Sequence, residues 1–282
     1  MSAANLEVYN RRDVAAHYAE LNYLTPCEQR LFDEYIVPGM AILDLGVGGG
    51  RTTSYLSGKA SRYVGVDYAV EMITRCKEKF PDLEFRVAEA SSLECFQDSC
   101  FDAVVCAFNG IDYVIPDQAR RSCFRECHRI LKPGGILLFS SHNPRSILVR
   151  SAWNRERVRK LAFKAGKPGR FVGESAFFLL SLAARSRAAC KTVGASTLRT
   201  FGRVPRYAFW RGEGYLFDPV HGGLLTHCWV PIRVIAEVQN FGFRCLKILG
   251  NDYPAASREY STDWYYYVFS KASPLPKGEV CA

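Results

Sequence analysis

The chain has 282 residues, 48% of them hydrophobic, which suits one large domain or a domain carrying a substantial insertion. Its longest apolar stretch, Ala176 to Ala184, is about half of the roughly 18 residues of a membrane span, and no basic-then-apolar leader opens the chain, so a cytoplasmic protein is expected. The net charge of +9 is concentrated, with 16 Lys or Arg against 2 acids between Arg145 and Arg211; that block suits an anionic small molecule, a nucleic acid or a membrane surface, or is simply a solvated basic face.

Residues 1–37 read as a helical N-terminal segment carrying Tyr9, Tyr18 and Tyr23. The run Ala41-Ile-Leu-Asp-Leu-Gly-Val-Gly-Gly-Gly-Arg-Thr-Thr53 follows: the buried end of a strand, a glycine-dense turn, and a helix opening at Thr52. Gly46, Gly48 and Gly50 remove β-carbons and permit a tight strand-to-helix turn, so a ligand can lie against main chain. A dinucleotide fingerprint would need glycine at position 51, which is Arg51, and a phosphate-binding P-loop would need a Lys-Ser or Lys-Thr pair that does not follow. The pattern is instead D-x-G-x-G-x-G, beginning at Asp44.

A second strand, Tyr63-Val-Gly-Val66, ends in Asp67, where a carboxylate can accept both hydroxyls of a ribose. A helix over 69–80 leads to a third strand, Leu83 to Ala88, then Glu89-Ala-Ser91. The fourth strand, Phe101 to Ala107, opens into the loop Phe108-Asn-Gly-Ile-Asp-Tyr113 at its carboxyl end, the side on which open α/β sheets bind ligands. The amphipathic segment before strand five holds Cys123, Cys127 and His128, the nearest approach to a metal cluster; no second pair completes it, the eleven cysteines include no C-x-x-C, and reduced thiols without a metal are expected. Arg129-Ile-Leu-Lys-Pro-Gly-Gly135 then reads as a helix end and turn before a fifth strand, Ile136 to Ser141. A helix over 230–241, a strand over 243–249 and a last strand over 264–269 come after a long intervening block.

Together these features resemble the class I S-adenosylmethionine-dependent methyltransferases, over roughly residues 38–142 and 230–271. The resemblance implies an α/β, Rossmann-like sheet of seven strands, mostly parallel with an antiparallel last strand. It places a cap, residues 143–229, between strands five and six, a lid at 1–37 and a loose tail at 272–282. It implies S-adenosyl-L-methionine as cofactor, with Gly46, Gly48 and Gly50 bordering its methionyl part, Asp44 holding its amino group and Asp67 its ribose. Glu89 and Ala90, with Met72 and Tyr68, fall to the adenine, and Phe108 and Asn109 to the reacting end; Glu89 stands where the family more often has Asp. An Asn-Pro-Pro-aromatic element, usual in enzymes that methylate exocyclic amines of nucleic acid bases, is replaced here by Asn109-Gly110-Ile111.

Methyl transfer to a hydroxyl is helped by a general base, and imidazole is the commonest near neutral pH. His142, after strand five, and His221 and His227, in Asp218-Pro-Val-His-Gly-Gly-Leu-Leu-Thr-His227, are the catalytic candidates, with Asp112 and Tyr113 in second rank. The reading that follows is methylation of an oxygen or nitrogen of a small-molecule metabolite, with a saccharide, a secondary metabolite and an anionic compound as the candidate classes. Two alternatives stay open: an RNA or protein methyltransferase that uses the basic cap, and a cofactor-binding partner subunit without catalysis.

Overall fold

The computed structural model describes residues 3–146, 208, 211–218, 224–260 and 262–272. His221 and most of the basic block, including Arg155 to Lys160 and Arg199 to Arg206, lie outside the described residues.

Seven strands form one sheet in the order β3-β2-β1-β4-β5-β9-β8. They are β1 (Met40–Leu45), β2 (Ala60–Asp67), β3 (Glu84–Val87), β4 (Phe101–Cys106), β5 (Leu131–His142), β8 (Phe243–Gly250) and β9 (Trp264–Lys271). Neighbours from β3 to β5 are parallel, whereas β9 runs antiparallel to both β5 and β8. The chain therefore belongs to the α/β class with a Rossmann-like sheet, as the alternation of apolar runs and amphipathic stretches predicts.

Successive strand residues face opposite layers. Leu43, Val64, Val104 and Phe139 pack with Cys123, Phe124 and Cys127 of α6 (Asp117–Ile130) and Val234 and Val238 of α7 (Pro231–Gln239). Ile42, Tyr63, Val105 and Leu138 pack on the other face with Leu31 and Phe32 of α3 (Pro26–Tyr35), Leu56 of α4 (Thr53–Lys59) and Ile73 and Cys76 of α5 (Val70–Lys79). Two buried layers, each completed by helices, hold the sheet rigid beneath the site.

Local differences from the expected elements have local causes. Strand β5 begins at Leu131 rather than at Ile136: Leu131 already pairs with Phe101, and the Lys-Pro-Gly-Gly stretch bulges before pairing resumes between Ala103 and Ile136. Gly134 makes the bulge possible with φ of +77°. Two further strands, β6 (Glu213–Asp218) and β7 (Leu224–Trp229), pair antiparallel with each other as a separate hairpin ladder outside the main sheet. It packs on β5 and on a short 3-10 helix at Gly110–Tyr113.

Two N-terminal helices, α1 (Ala3–Tyr9) and α2 (Arg12–Glu20), lie across the carboxyl ends of the strands. Buried Asn5 ties α1 to the hairpin: its Nδ2 donates to the Leu225 carbonyl at 3.0 Å and its Oδ1 accepts the Leu225 N–H at 3.3 Å. Helix α3 begins with a reciprocal capping box between Thr25 and Glu28, with Pro26 in its first turn. Among the described residues no helix is long and apolar enough to cross a membrane.

Candidate active site

A cavity of about 270 Å³ opens at the carboxyl ends of β1, β2, β4 and β5. Asp44, Gly46, Gly48, Asp67, Tyr68, Met72, Ala90, Phe108, Asn109 and His142 all line it. Gly46 and Gly48 have φ of +73° and +55°, the left-handed region that glycine reaches without strain.

Gly50 and Glu89 are placed elsewhere. Gly50 lies behind the loop, where a Cβ would stand 2.8 Å from the Phe80 ring, so its lack of a side chain serves packing on α5. Glu89 is exposed and outside the lining, while Ala88 and Ala90 face the cavity; its carboxylate accepts the Ser91 hydroxyl at 3.3 Å.

The two buried acids are held by different groups. Asp44 accepts Thr52 Oγ1 at 2.8 Å and the Tyr63 hydroxyl at 2.9 Å, both on Oδ2. Asp67 accepts the backbone N–H of Gly48 at 3.0 Å and of Ala69 at 2.9 Å, which locks the glycine loop to the end of β2. Burial outweighs these bonds and pushes both carboxyls up to about 6. A ligand that engages their ionised forms must therefore bind more weakly as pH falls through about 6. Titration calorimetry with S-adenosylmethionine at pH 7 and pH 5 is expected to show a loss of about tenfold for each carboxylate engaged. Equal affinity at the two pH values would remove the ionised acids from cofactor recognition.

The roof over the glycine loop is aromatic. Tyr9 of α1 meets Tyr18 of α2, Tyr68 and Tyr113 edge-on, with centroids 6.0, 6.1 and 6.0 Å apart. The closest approach of this roof to the loop is at Gly49, which the motif reading passed over: a Cβ there would stand 2.3 Å from Ala19 N and from Tyr18 C. Because both are backbone atoms, Gly49→Ala is expected to push α2 off the loop at a cost of about 1–3 kcal/mol. Cofactor affinity should fall more than resistance to urea, and wild-type affinity in that variant would show that α2 need not seat there.

His142, which also lines the cavity, is paired with a buried carboxylate. Asp112, in the 3-10 helix and fully buried, accepts Ser141 Oγ at 2.5 Å on Oδ1. Its Oδ2 accepts the backbone N–H of His142 at 2.7 Å and lies 2.8 Å from His142 Nδ1. Asn109 Nδ2 donates to His142 Nε2 at 3.2 Å. The wall continues through Phe108 and Trp264, whose rings lie 5.9 Å apart, with Trp264 6.5 Å from the imidazole. Phe108 and Asn109 adopt left-handed φ of +54° and +64°, unusual for residues with side chains and a source of stored strain in this loop. The Asn109 N–H donates to Ser140 Oγ at 2.7 Å and holds the loop in that conformation.

His227 does not reach the cavity. It is buried in β7, its ring 4.8 Å from Trp229 and 5.3 Å from Tyr215, with Nε2 3.5 Å from Glu213 and Nδ1 without a hydrogen-bond partner. Burial lowers its pKa from the ordinary histidine value. The two glycines before it, Gly222 and Gly223, lie with His221 outside the described residues. Of the three histidine candidates, the structure brings His142 alone into the cavity among the described residues.

A sheet in this order, with a glycine loop after β1, an acid ending β2 and a cavity between them, defines a class of nucleotide-cofactor-binding α/β domains that act on a second ligand at the same edge. Within that class, the chain carries a methyltransferase domain with the fold of the class I S-adenosylmethionine-dependent methyltransferases. A methyltransferase-domain family model matches residues 42–135. A ubiquinone biosynthesis O-methyltransferase from Pseudomonas entomophila is 28% identical over 144 residues, 49% of this chain and 60% of that protein. One from Xanthomonas campestris pv. campestris is 31% identical over 111 residues, 38% of this chain and 45% of that protein. The chain thus spans about half the length of these curated relatives.

Solved structures share the fold. A methyltransferase from Methanosarcina mazei superposes with a TM-score of 0.56 at 18% identity, covering 90% of this chain and all of that one. The 1,6-didemethyltoxoflavin-N1-methyltransferase of Burkholderia thailandensis, solved with 1,6-didemethyltoxoflavin and S-adenosylhomocysteine, gives 0.55 at 13% identity, covering 97% and 92%. The cofactor of the family is S-adenosylmethionine, and the cavity suits it: left-handed glycines, two buried acids and a buried Tyr68 hydroxyl without a protein partner face one space.

Proposed function

We propose that this protein transfers the methyl group of S-adenosylmethionine to a hydroxyl oxygen of a small molecule, with His142 as the general base. The carrying observation is that the Asp112–His142 pair opens into the same cavity as the glycine loop and Asp67. S-adenosylmethionine supplies a methyl on a sulfonium, already activated for in-line displacement.

The chain has to hold, align and deprotonate. Asp67 and the loop from Gly46 to Gly49 would bind the ribose and methionyl parts, and Met72, Ala88 and Ala90 would flank the adenine. Asp112 accepts a hydrogen bond from His142 Nδ1–H, which keeps that proton on Nδ1 and leaves the Nε2 lone pair toward the cavity. A hydroxyl replacing Asn109 at Nε2 would pass its proton there as the new bond to carbon forms, and buried Asp112 would stabilise the resulting imidazolium. An amine acceptor needs no such base during transfer, so the dyad favours oxygen. Two of the relatives are named O-methyltransferases, which supports the same choice.

A small acceptor is favoured by the cavity volume and the aromatic roof of α1 and α2, which we read as a lid formed by residues 1–37. In the same reading residues 143–229 cap the acceptor, with the hairpin as the part that meets the sheet. The test is calorimetry with S-adenosylmethionine and S-adenosylhomocysteine, followed by a methylation screen of paired acceptors differing in a hydroxyl or an amine. Turnover confined to the hydroxyl partner of each pair is expected. Turnover of the amines alone, or of RNA with steep salt dependence, would overturn the proposal.

A further inference from the structure

The hydrogen bonds behind Asp112 run on into the hairpin and have a fixed direction. Trp229, the last residue of β7 and 1% exposed, donates its indole N–H to Ser141 Oγ at 2.7 Å. Indole nitrogen can only donate, and an ionised carboxylate can only accept. The Ser141 hydroxyl, receiving from Trp229, therefore directs its single hydrogen to Asp112 Oδ1 at 2.5 Å. With Oδ1 so engaged, Oδ2 is left to the backbone N–H and Nδ1 of His142.

The indole itself is clamped. The His227 ring stands at 84° to it with centroids 4.8 Å apart, the Arg120 guanidinium lies 4.7 Å over it, and the Phe124 ring packs at 6.3 Å. Arg120 is 2% exposed and braced by Asp117 at 3.1 Å. This arrangement gives buried His227 and Arg120 work without contact with the cavity: they fix the rotamer of Trp229.

We infer that Trp229 is a positioning residue for His142, acting through Ser141 and Asp112 to hold the imidazole in its Nδ1–H tautomer. The inference rests on reading His142 as the base. It means that a strand of the inserted hairpin, outside the seven-stranded sheet and outside the residues of the family match, completes the catalytic geometry.

The test compares Trp229→Phe, which keeps the packed ring and removes the N–H, with Ser141→Ala and His142→Ala in the full chain. Steady-state kinetics on a hydroxyl acceptor are combined with ring nitrogen spectra of ¹⁵N-histidine-labelled protein. Trp229→Phe is expected to lower kcat about tenfold, the effect of one hydrogen bond, with the KM for acceptor unchanged. Its His142 signals should change from one Nδ1–H tautomer to a mixture, and Ser141→Ala should do the same. The double variant should lose no more than Ser141→Ala alone, because both act on one relay.

Wild-type kcat and an unchanged tautomer in Trp229→Phe, or an unchanged tautomer in Ser141→Ala, would overturn the inference. Full turnover by His142→Ala would overturn the base assignment instead, so the two failures are distinguishable. If Trp229→Phe does not fold, Ser141→Ala decides the matter, since it removes the hydroxyl through which the indole reaches Asp112.

Discussion

His142→Ala should retain the fold and cofactor binding and lose about 10²–10⁴-fold in kcat toward a hydroxyl acceptor, the range typical of a positioned proton acceptor. The fold is retained because Asp112 keeps two of its donors: the backbone N–H of residue 142 and the Ser141 hydroxyl. Cofactor binding is expected to be retained because Asp44, Asp67 and the glycine loop are held by Thr52, Tyr63 and backbone N–H groups and not by the imidazole. Single-turnover rates with cofactor saturated isolate the chemical step. Asp112→Asn provides an internal comparison: the amide keeps the shape of the carboxylate and loses the charge that stabilises the imidazolium. A His142→Ala variant as fast as wild type would eliminate the proton-acceptor role, and equal losses in rate and cofactor affinity would make His142 a structural residue.

The second large effect is on stability, at Glu28→Ala. Glu28 is fully buried and Arg51 almost so, with the side chains 0% and 9% exposed. Glu28 Oε1 accepts Arg51 Nη2 at 2.5 Å, and Oε2 accepts Arg51 Nη1 at 2.7 Å and the Thr25 N–H at 2.8 Å. Arg51 Nη1 also donates to the Tyr23 carbonyl at 2.8 Å, and its guanidinium lies over the rings of Phe108 and Tyr23, at 4.7 and 5.2 Å. Removing the acid leaves a buried guanidinium with one carbonyl and two ring faces, and it opens the α3 capping box. The expected loss is about 3–5 kcal/mol by urea unfolding. Glu28→Gln, which can still accept the Thr25 N–H, should lose less, and replacing both partners by Met should cost less than Glu28→Ala alone. A loss under about 1 kcal/mol for Glu28→Ala would mean that the pair behaves as a solvated surface ion pair.

Arg51 also shows where sequence reading reaches its limit. In the sequence it counts only as the residue that spoils a dinucleotide fingerprint; in the fold it joins the glycine loop to α3 and the Phe108 loop, three segments that no local spacing connects. The glycine-loop wall of the cavity was legible because its residues, from Asp44 to Ala90, sit at strand ends whose period and punctuation survive in one sequence. Gly49 was not, since the space it clears is needed by Tyr18 and Ala19 of another helix.

The wall around His142 was half legible. The position of His142 at a strand end pointed to the cavity, and His227 looked equivalent because nothing local told that β7 pairs with β6 outside the main sheet. Trp229 and Trp264 carried no signal, as their roles depend on pairings that join distant segments.

One of those pairings bears on how the protein is made. Strand β9 is inserted between β5 and β8, and it sets His142 beside Trp264. Until residues near 271 have left the ribosome, β5 has an open edge and the Trp264 side of the cavity is missing. Closing so long a loop is slow relative to the local pairings of β1 to β4, and an unpaired apolar strand edge invites association while it waits. The glycine-loop half of the cavity can thus order early in synthesis, whereas the half that carries His142 and Trp264 is assembled last.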